Sequence, residues 1–364
     1  MRARWLAIAA VLISLVMLTL PSSGSSGAAT TPSGFDVAGL DLHDGTMIEY
    51  NGTYYLYGTQ YKCGFTWRQQ NTPWCGFAVS YSTDKVTWSK PQTLFSPSDF
   101  DVTDNMTWNQ VCGSGGDGCF EPRMIQRSGW GYNDGTWILW FDAPYDWRVN
   151  HTNSYYAMGC QTVMGPCGYG GSVTSVHKPN LKYCLGNDDL SIITPPGGAL
   201  PVALCTLADQ TISEEELDVW GTNGNGDGTG SSDLAGLTNV ESEGAYLDPT
   251  TQTWIMTYSD PNCGYCAGDG TGYATAPSLL GPWTAPGNVG PGAPATGRRD
   301  LSSTSCGGQP DTITMLDGYP YEVIDMWNGA NNETTASLHF EPLTYHPSGP
   351  PGTLLQPFDP WLCQ

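Results

Sequence analysis

Basic residues are scarce in this sequence of 364 residues, which has 13 Lys and Arg against 35 Asp and Glu. The formal net charge is therefore −22 at pH 7. A field of that sign repels phosphate backbones and anionic lipids, so we expect neither a nucleic acid nor a membrane surface as partner. Neutral ligands suit this charge better.

Several catalytic motifs are absent. The sequence contains no Gly-x-Ser-x-Gly, no His-Glu-x-x-His and no Gly-Lys pair, which excludes the nucleophile elbow, the zincin helix and the phosphate-binding loop. It contains only five His. Carboxylates remain as the catalytic side chains, and we expect neither a cofactor nor a catalytic metal.

Long apolar runs are absent except near the N-terminus, where Trp5 to Leu20 follows Arg2 and Arg4. Pro21 and a stretch of small residues ending at Ala29 come next. This order predicts a secretory signal peptide over residues 1–29, and hence a secreted, extracellular protein. A retained N-terminal anchor is the alternative. No linker divides the rest, so we expect one domain over residues 30–364.

The 12 Cys residues are an even number, which in an oxidising compartment favours disulfides over metal thiolates. Neighbours in sequence suggest six pairs, of which only the local ones are more than guesses. A zinc half-site at Cys263-Gly-Tyr-Cys266 is the alternative for one of them. The suggested pairs are Cys63 with Cys75, Cys112 with Cys119, Cys160 with Cys167, Cys184 with Cys205, Cys263 with Cys266, and Cys306 with Cys363.

Gly and Pro are abundant, with 46 and 27 residues, and 14 Trp and 19 Tyr provide for a large core. One kind of segment recurs: an apolar strand, a Gly or Asn turn, then an aromatic strand, beginning near residues 47, 124, 245 and 312. The middle gap is nearly double, so a further unit is expected at about 180 to 210. Five units predict an all-β, five-bladed β-propeller, with a β-sandwich as the alternative.

Acids stand at the entrance of three units: Asp44, Glu121 and Glu243. The inner strands of a propeller converge on its axis, so these carboxyl groups are expected to line one pocket. A turn or capping role is the alternative for each of them. Inverting glycoside hydrolysis requires two such groups, an acid and a base, about 6.5 to 9.5 Å apart.

Two motifs carry a resemblance to a known family. The segment from His43 to Gly58, with Asp44 ten residues before an aromatic pair, resembles the first blade of glycoside hydrolase family 43. Glu243-Gly-Ala-Tyr246 is similar to that family's Glu-Gly/Ala-Pro motif. The resemblance implies that Asp44 is the general base and Glu243 the general acid.

Later segments are similar to the exo-β-1,3-galactanase-like branch of the family. They include Glu121-Pro-Arg123, Gly308-Gln-Pro-Asp-Thr312 followed by Asp325-Met-Trp327, and Glu341-Pro-Leu343. In that branch a Gln replaces the first-blade Asp, whereas this chain has both Asp44 and Gln309. The assignment of the base therefore stays open between these two residues.

The family also has an Asp in its middle blade that tunes the pKa of the acid. No clean match exists here, and the candidates are Asn180, Asp188 and Asp189. Trp147 and Trp327 are candidate sugar-stacking residues, although either could belong to the core. His43 either lines the pocket or bonds to the backbone.

One loop bears on metal binding. Asn223, Asn225 and Asp227 imitate the start of a calcium loop, but Leu234 occupies the position of the bidentate Glu. We expect a solvated loop, with a structural calcium ion as the alternative.

These observations predict a monomeric glycoside hydrolase. Its expected substrates are galactan, arabinogalactan, or a related polysaccharide or oligosaccharide that contains arabinose or xylose, and galactan is favoured only by the resemblance. Two further hypotheses stay open. One is a propeller that binds carbohydrate without catalysis, and the other is a disulfide-rich adhesion protein in which the three acids do not meet.

Overall fold

The computed structural model describes residues 32–363 except 102, 104, 114–116, 146–150, 169–175, 287–297, 299–300 and 348–356. The predicted signal peptide and its cleavage site near Ala29 lie outside the described residues. In the described part of the chain, no helix is long and apolar enough to span a membrane.

The described strands form five antiparallel sheets that are the blades of a β-propeller. Each blade begins at the axis with an inner strand and proceeds outward through hairpins. The first four blades comprise β2 (Met47–Tyr50), β3 (Thr53–Thr59), β4 (Phe77–Ser82) and β5 (Gln92–Thr93); β8 (Phe120–Gln126), β9 (Trp137–Asp142), β10 (Tyr155–Cys160) and β11 (Val176–His177); β12 (Leu190–Ile193), β13 (Val202–Thr206), β14 (Ile212–Glu216) and β15 (Gly230–Ser231); and β16 (Glu241–Leu247), β17 (Trp254–Asp260) and β18 (Gly270–Ala276).

The fifth blade joins the two ends of the described chain. It contains β19 (Gln309–Leu316), β20 (Tyr319–Met326), β21 (Ser337–Pro342) and the N-terminal strand β1 (Phe35–Val37). Strand β1 pairs with β21, with Phe35 opposite Phe340. This pairing closes the ring of blades and leaves β21 with a hydrogen-bonded neighbour on each side.

The sequence prediction of an all-β, five-bladed propeller is confirmed. The inferred third unit is present as β12 and β13, at the predicted place. Smaller elements lie between blades: β6 (Phe100–Asp101), β7 (Met106–Thr107) and the helix α1 (Trp108–Cys112). Thr107 caps α1 in a capping box with Gln110.

Aromatic side chains fill the spaces between blades, which explains the high Trp and Tyr content. The largest cluster lies between the first two blades, where Phe77 and Phe141 have ring centroids 5.1 Å apart and Trp108 and Phe141 5.3 Å. All six suggested cysteine pairs are disulfides in the structure. The zinc half-site at Cys263 and Cys266 is therefore wrong, because these two sulfurs bond to each other.

The loop that imitates a calcium site uses its polar atoms internally. Asp227 Oδ1 accepts hydrogen bonds from Thr229 N and Oγ1, and the Asn225 amide donates to Glu216. Asn223 Oδ1 accepts from the Asn180 backbone N–H at 2.6 Å. These contacts fit the solvated loop that the sequence predicts.

Candidate active site

The inner strands of all five blades begin around one cavity of about 340 Å³. Part of its lining comes from residues that immediately precede or start the inner strands β2, β8, β12, β16 and β19. The rest comes from the ends of β9 and β20 and from loops between strands. Nine carboxyl side chains of the described residues line it: Asp44, Asp117, Glu121, Asp142, Asp188, Asp189, Glu241, Asp311 and Asp325. Among the described lining residues, Arg68 is the one basic side chain.

Arg123 forms ion pairs with two of the acids beneath the cavity. Its guanidinium donates to both oxygens of Asp311, at 2.7 and 3.2 Å, and lies 3.4 Å from Glu121 Oε2. It also donates to the backbone oxygens of Asp44 and Leu190. One buried cation thus connects the entrances of blades one, two, three and five, and Asp44 and Glu121 both line the cavity above it.

Asp44 has an unusual backbone and a free carboxyl oxygen. Its φ is +50°, and the next residue, Gly45, has no room for a side chain, since a Cβ there would lie 1.9 Å from the Tyr57 carbonyl oxygen. Asp44 Oδ1 accepts from the Thr59 N–H at 3.3 Å, whereas Oδ2 is buried without a partner among the described residues. Burial raises the pKa of this carboxyl well above its ordinary value.

Glu243 does not line the cavity with the other two acids, whereas Glu241 does. Regular alternation would put both side chains on one face of β16. A bulge intervenes, because the pairing with β17 shifts register between Glu241 and Gly244 and Ser242 has φ +56°. Glu243 consequently lies deeper, where Oε2 accepts from Thr206 Oγ1 at 2.7 Å and Oε1 has no partner among the described residues.

Two donors hold Glu241 by a single oxygen. The Cys263 N–H, at 2.6 Å, and Gln309 Nε2, at 2.9 Å, both donate to Oε1. Burial, with the charges of Asp189 and Asp188, raises the pKa of Glu241 well above its ordinary value. A proton on Glu241 therefore belongs on Oε2, since Oε1 already accepts two hydrogen bonds.

Asp188 and Asp189 come from the entrance of the third blade. Both line the cavity, and their carboxyl oxygens and that of Glu241 lie within 4.8 Å of one another. Burial and the adjacent Asp189 raise the pKa of Asp188 to about 7. Asp189 also raises the pKa of Glu243. Asp188 and Asp189 are therefore the two candidates whose charges act on neighbouring carboxyl groups, whereas Asn180 does not line the cavity.

Gln309 uses all four hydrogen-bonding positions of its side-chain amide. Its Nε2 donates to Glu241 Oε1 and to the Cys263 carbonyl at 2.7 Å, and its Oε1 accepts from the Cys266 N–H and from Trp327 Nε1 at 3.0 Å. Gln309 therefore fixes the Cys263–Cys266 loop, the indole and the carboxyl group relative to one another.

An aromatic wall faces the carboxyl groups. Trp67, Tyr265 and Trp327 line the cavity, and the Tyr265 ring centroid lies 4.8 Å from each of the two Trp rings. The predicted Trp327 is thus beside the acids. His43 is fully buried and lies behind Trp327, with ring centroids 6.0 Å apart, and does not line the cavity. Trp147 lies outside the described residues.

Sequence reasoning overlooked several residues of this site. Asp311 stands at the entrance of the fifth blade as Asp44 and Glu121 do at theirs, so the same positional argument would have found it. Glu241 required knowledge of the bulge at Ser242. Trp67 and Tyr265 lie in irregular loops with no periodicity to reveal them.

Two groups of described residues could hold a metal ion by geometry. One is the carboxylate trio Asp188, Asp189 and Glu241, which could also share a proton. The other is Cys306, His339, Glu341 and Cys363, in which the two sulfurs are joined as a disulfide. A disulfide lacks the thiolates that bind zinc, so this second group is not a metal site in the oxidised chain.

Comparisons with solved structures match the propeller. An exo-β-1,3-galactanase from Phanerochaete chrysosporium with bound β-1,3-galactotriose is 15% identical, has a TM-score of 0.58, and aligns over 84% of this chain and 61% of that enzyme. The chain thus spans about three fifths of that enzyme's length.

Two further structures extend the match. An endo-1,4-β-xylanase from Bacteroides thetaiotaomicron is 19% identical with a TM-score of 0.54, covering 88% of this chain and 97% of that one. A thermostable family-43 glycoside hydrolase is 16% identical with a TM-score of 0.53 and the same coverages. No protein-family model matches the sequence, and comparison with curated proteins gives no match. The chain shares the five-bladed propeller fold of family 43 glycoside hydrolases, as the sequence resemblance predicted.

Proposed function

We propose that this protein is a secreted glycoside hydrolase that inverts the anomeric centre. The observation that carries the proposal is that Asp44 and Glu241, two buried carboxyl groups with raised pKa, line one cavity beside an aromatic wall. A sugar ring can pack its apolar face on such aromatic rings while its hydroxyl groups meet the acids. The glycoside hydrolases that share this fold support the assignment.

Glu241 is the proposed general acid. Its raised pKa keeps it protonated at a pH where a free Glu is ionised, and Oε2 is the oxygen able to carry the proton to the leaving oxygen. Asp188 and Asp189 maintain that state by repulsion between like charges. The motif-based candidate Glu243 is buried against Thr206, so its role in this proposal is to support the site from beneath.

Asp44 is the proposed general base. Its unpartnered Oδ2 is available to accept a proton from water, and a raised pKa makes the ionised carboxylate a stronger base. Gln309 is a positioning residue, because both N–H groups of its amide are donated to protein acceptors and its oxygen accepts twice. Glu121, held by Arg123 and the Leu190 N–H, orients the floor of the site.

The proposed substrates are galactan, arabinogalactan or a related polysaccharide that contains arabinose or xylose. The concentration of carboxyl groups in the cavity favours neutral sugars over uronic acids, since a bound carboxylate would meet like charges. The similarity to a β-1,3-galactanase supports galactan, and the similarity to a xylanase supports xylose-containing chains. Secretion and a monomeric state belong to the proposal, and the six disulfides suit an oxidising compartment.

Turnover on oligosaccharides of galactan, arabinan and arabinoxylan tests this function. Glu241→Gln should lower the rate by ~10² to 10⁴-fold for a poor leaving group and by much less for an activated aryl glycoside, which needs no proton. Glu243→Gln is the matched control two residues away, and its loss should not depend on the leaving group.

Asp44→Asn should slow poor and good leaving groups equally, because water activation is needed for both. Near wild-type activity of Asp44→Asn together with an inactive Gln309→Ala would assign the base to Gln309. Proton NMR of the first product should show inversion, and retention would defeat the mechanism. Binding without turnover on every substrate would identify a non-catalytic carbohydrate-binding propeller.

A further inference from the structure

The end of the molecule away from the cavity presents an exposed aromatic patch, defined here as Tyr132, Val219 and Trp220. These side chains are 49%, 44% and 46% exposed. The Tyr132 and Trp220 ring centroids are 4.4 Å apart with an angle of 35° between the planes, so the rings stack obliquely against each other. Because nearly half of each side chain is exposed, a ligand can still reach the ring surfaces that do not face each other. Leaving aromatic rings exposed to water costs hydrophobic free energy, and contiguous exposed apolar side chains are typical of binding sites.

The patch is rigid. Arg127 lies near both rings, with its guanidinium carbon 5.5 Å from the Tyr132 centroid and 5.3 Å from that of Trp220. Arg127 is itself held by a bidentate ion pair with Asp134 and donates to the Trp220 carbonyl oxygen at 2.9 Å. The Tyr132 N–H donates to the Val219 carbonyl at 3.0 Å. The rings are therefore presented in a fixed arrangement, which lowers the entropic cost of binding.

The position of the patch separates it from the cavity. Tyr132 lies in the β8–β9 connection and Trp220 follows β14, whereas the cavity is built at the opposite end of β8, around Glu121. Six residues of extended chain separate Glu121 from Arg127, a distance of roughly 20 Å. A ligand on the patch is thus distinct from a sugar in the cavity.

We infer that the patch is a second carbohydrate-binding site, which takes pyranose units of a neutral polysaccharide on the rings of Tyr132 and Trp220. The two rings offer apolar faces with polar edges, the surface that suits the apolar face and hydroxyl rim of a sugar. Within the described part of the chain, neither the Tyr132 hydroxyl nor Trp220 Nε1 makes a hydrogen bond, so both are available to sugar hydroxyl groups. Asp134 and Asp218 beside the rings disfavour an anionic chain.

A protein partner fits less well. A stable interface buries about 800 Å² on each partner, far more than three side chains supply. The inference rests on the proposed carbohydrate substrate class, but it concerns different residues and a different measurement, so the two can fail separately.

Affinity electrophoresis through gels that contain arabinogalactan, arabinoxylan or arabinan tests the inference. The double variant Tyr132→Ala with Trp220→Ala should weaken retardation by at least one of these polymers, with a roughly tenfold or larger rise in the dissociation constant. Its turnover of a small aryl glycoside should equal that of the wild type. Tyr81→Ala is the matched control, since Tyr81 is 44% exposed on a different blade.

Unchanged retardation in the double variant, an equal loss in Tyr81→Ala, or no retardation of the wild type by any of the three polymers would overturn the second site. A wild-type dimer in size-exclusion chromatography that the double variant dissociates would also overturn it, in favour of a protein contact. No turnover of any glycoside, with retardation that still depends on the patch, would instead defeat the proposed catalytic function alone.

Discussion

The two ends of the central channel are built from the same five inner strands and differ in chemistry. At the entrance end, nine carboxyl groups line a cavity of about 340 Å³. Glu121, Glu241 and Asp311 lie near the start of inner strands, whereas Asp142 and Asp325 come from β9 and β20. At the other end, later residues of the inner strands line a cavity of about 780 Å³ with side chains such as Ile48, Ile192, Leu247 and Ile313. Arg123, with its ion pairs to Asp311 and Glu121, separates the two.

The backbone differs between the ends in the same way. Asp44, Glu121 and Ser242 have φ of +50°, +55° and +56°, and register shifts occur near the start of β8, β16 and β19. Toward the other end the strands pair regularly. Within the inner strands, the irregular backbone thus lies at the end where side chains depart from the alternating pattern. The positive φ values at the other end, such as those of Asn51 and Asp317, belong to hairpin turns. The regular, apolar end of each inner strand therefore packs the core, and the irregular end places the carboxyl groups of the candidate site.

Arg123→Met should have the largest effect, because Arg123 lies between the acidic end and the apolar end of the channel. Removal of the guanidinium leaves Asp311 and Glu121 buried without their cation, and breaking one partner of a buried ion pair costs about 3 to 5 kcal/mol. Denaturant unfolding should show that loss of stability, together with loss of activity. Arg123→Lys is the control that keeps the charge but not the bidentate geometry, and should lie between. A loss below about 1 kcal/mol in Arg123→Met would mean that these acids are neutral and need no cation.

The pH dependence of stability is the second test. Burial raises the pKa of Asp44, Glu241, Glu243, Asp142 and Glu322. The folded state therefore holds protons that the unfolded state releases near pH 4, so stability should be greatest in mildly acidic solution and fall as the pH rises toward the raised values. Thermal melting should give a higher Tm near pH 5 than near pH 8. A Tm that rises over that interval would mean that these groups are ionised and paired in the folded protein.

The regular ends of the strands could be predicted from the sequence, whereas much of the irregular end could not. Turn chemistry and alternation identify the five hairpins, because the strands are regular where they carry the core. The entrance acids Asp44 and Glu121 are found by position. The choice between Glu241 and Glu243 is not accessible from spacing, since alternation alone would put both side chains on one face. The bulge at Ser242 keeps Glu241 at the cavity and takes Glu243 away from it. The aromatic wall depends on loops whose path is set by tertiary contacts, such as those that Gln309 makes.

Asp189→Asn tests whether the charges at the acidic end set the pKa of Glu241. It removes a negative charge that raises the pKa of Glu241, so that pKa should fall, and the high-pH limb of activity should move to lower pH by about one unit. The sign follows because Glu241 must be protonated to act as the acid. Asp84→Asn, at an exposed site on the first blade, is the control and should leave the limb in place. An unmoved limb in Asp189→Asn would mean that another group is the acid.

The smallest expected effect comes from the apolar end. Ile313 is 8% exposed and lines the second cavity, so Ile313→Val removes one methylene from partly confined packing. The usual cost of this change is about 0.5 to 1.5 kcal/mol, and the existing cavity favours the lower half of that range because the removed group leaves fewer contacts unsatisfied. Denaturant unfolding measures the stability, and the pH profile of activity on an aryl glycoside measures the site. If the layer around Arg123 insulates the two ends, the profile should superimpose on that of the wild type while stability falls. A displaced limb would show that packing at the apolar end sets the position of the carboxyl groups across Arg123, and the two ends would then have to be treated as one coupled unit.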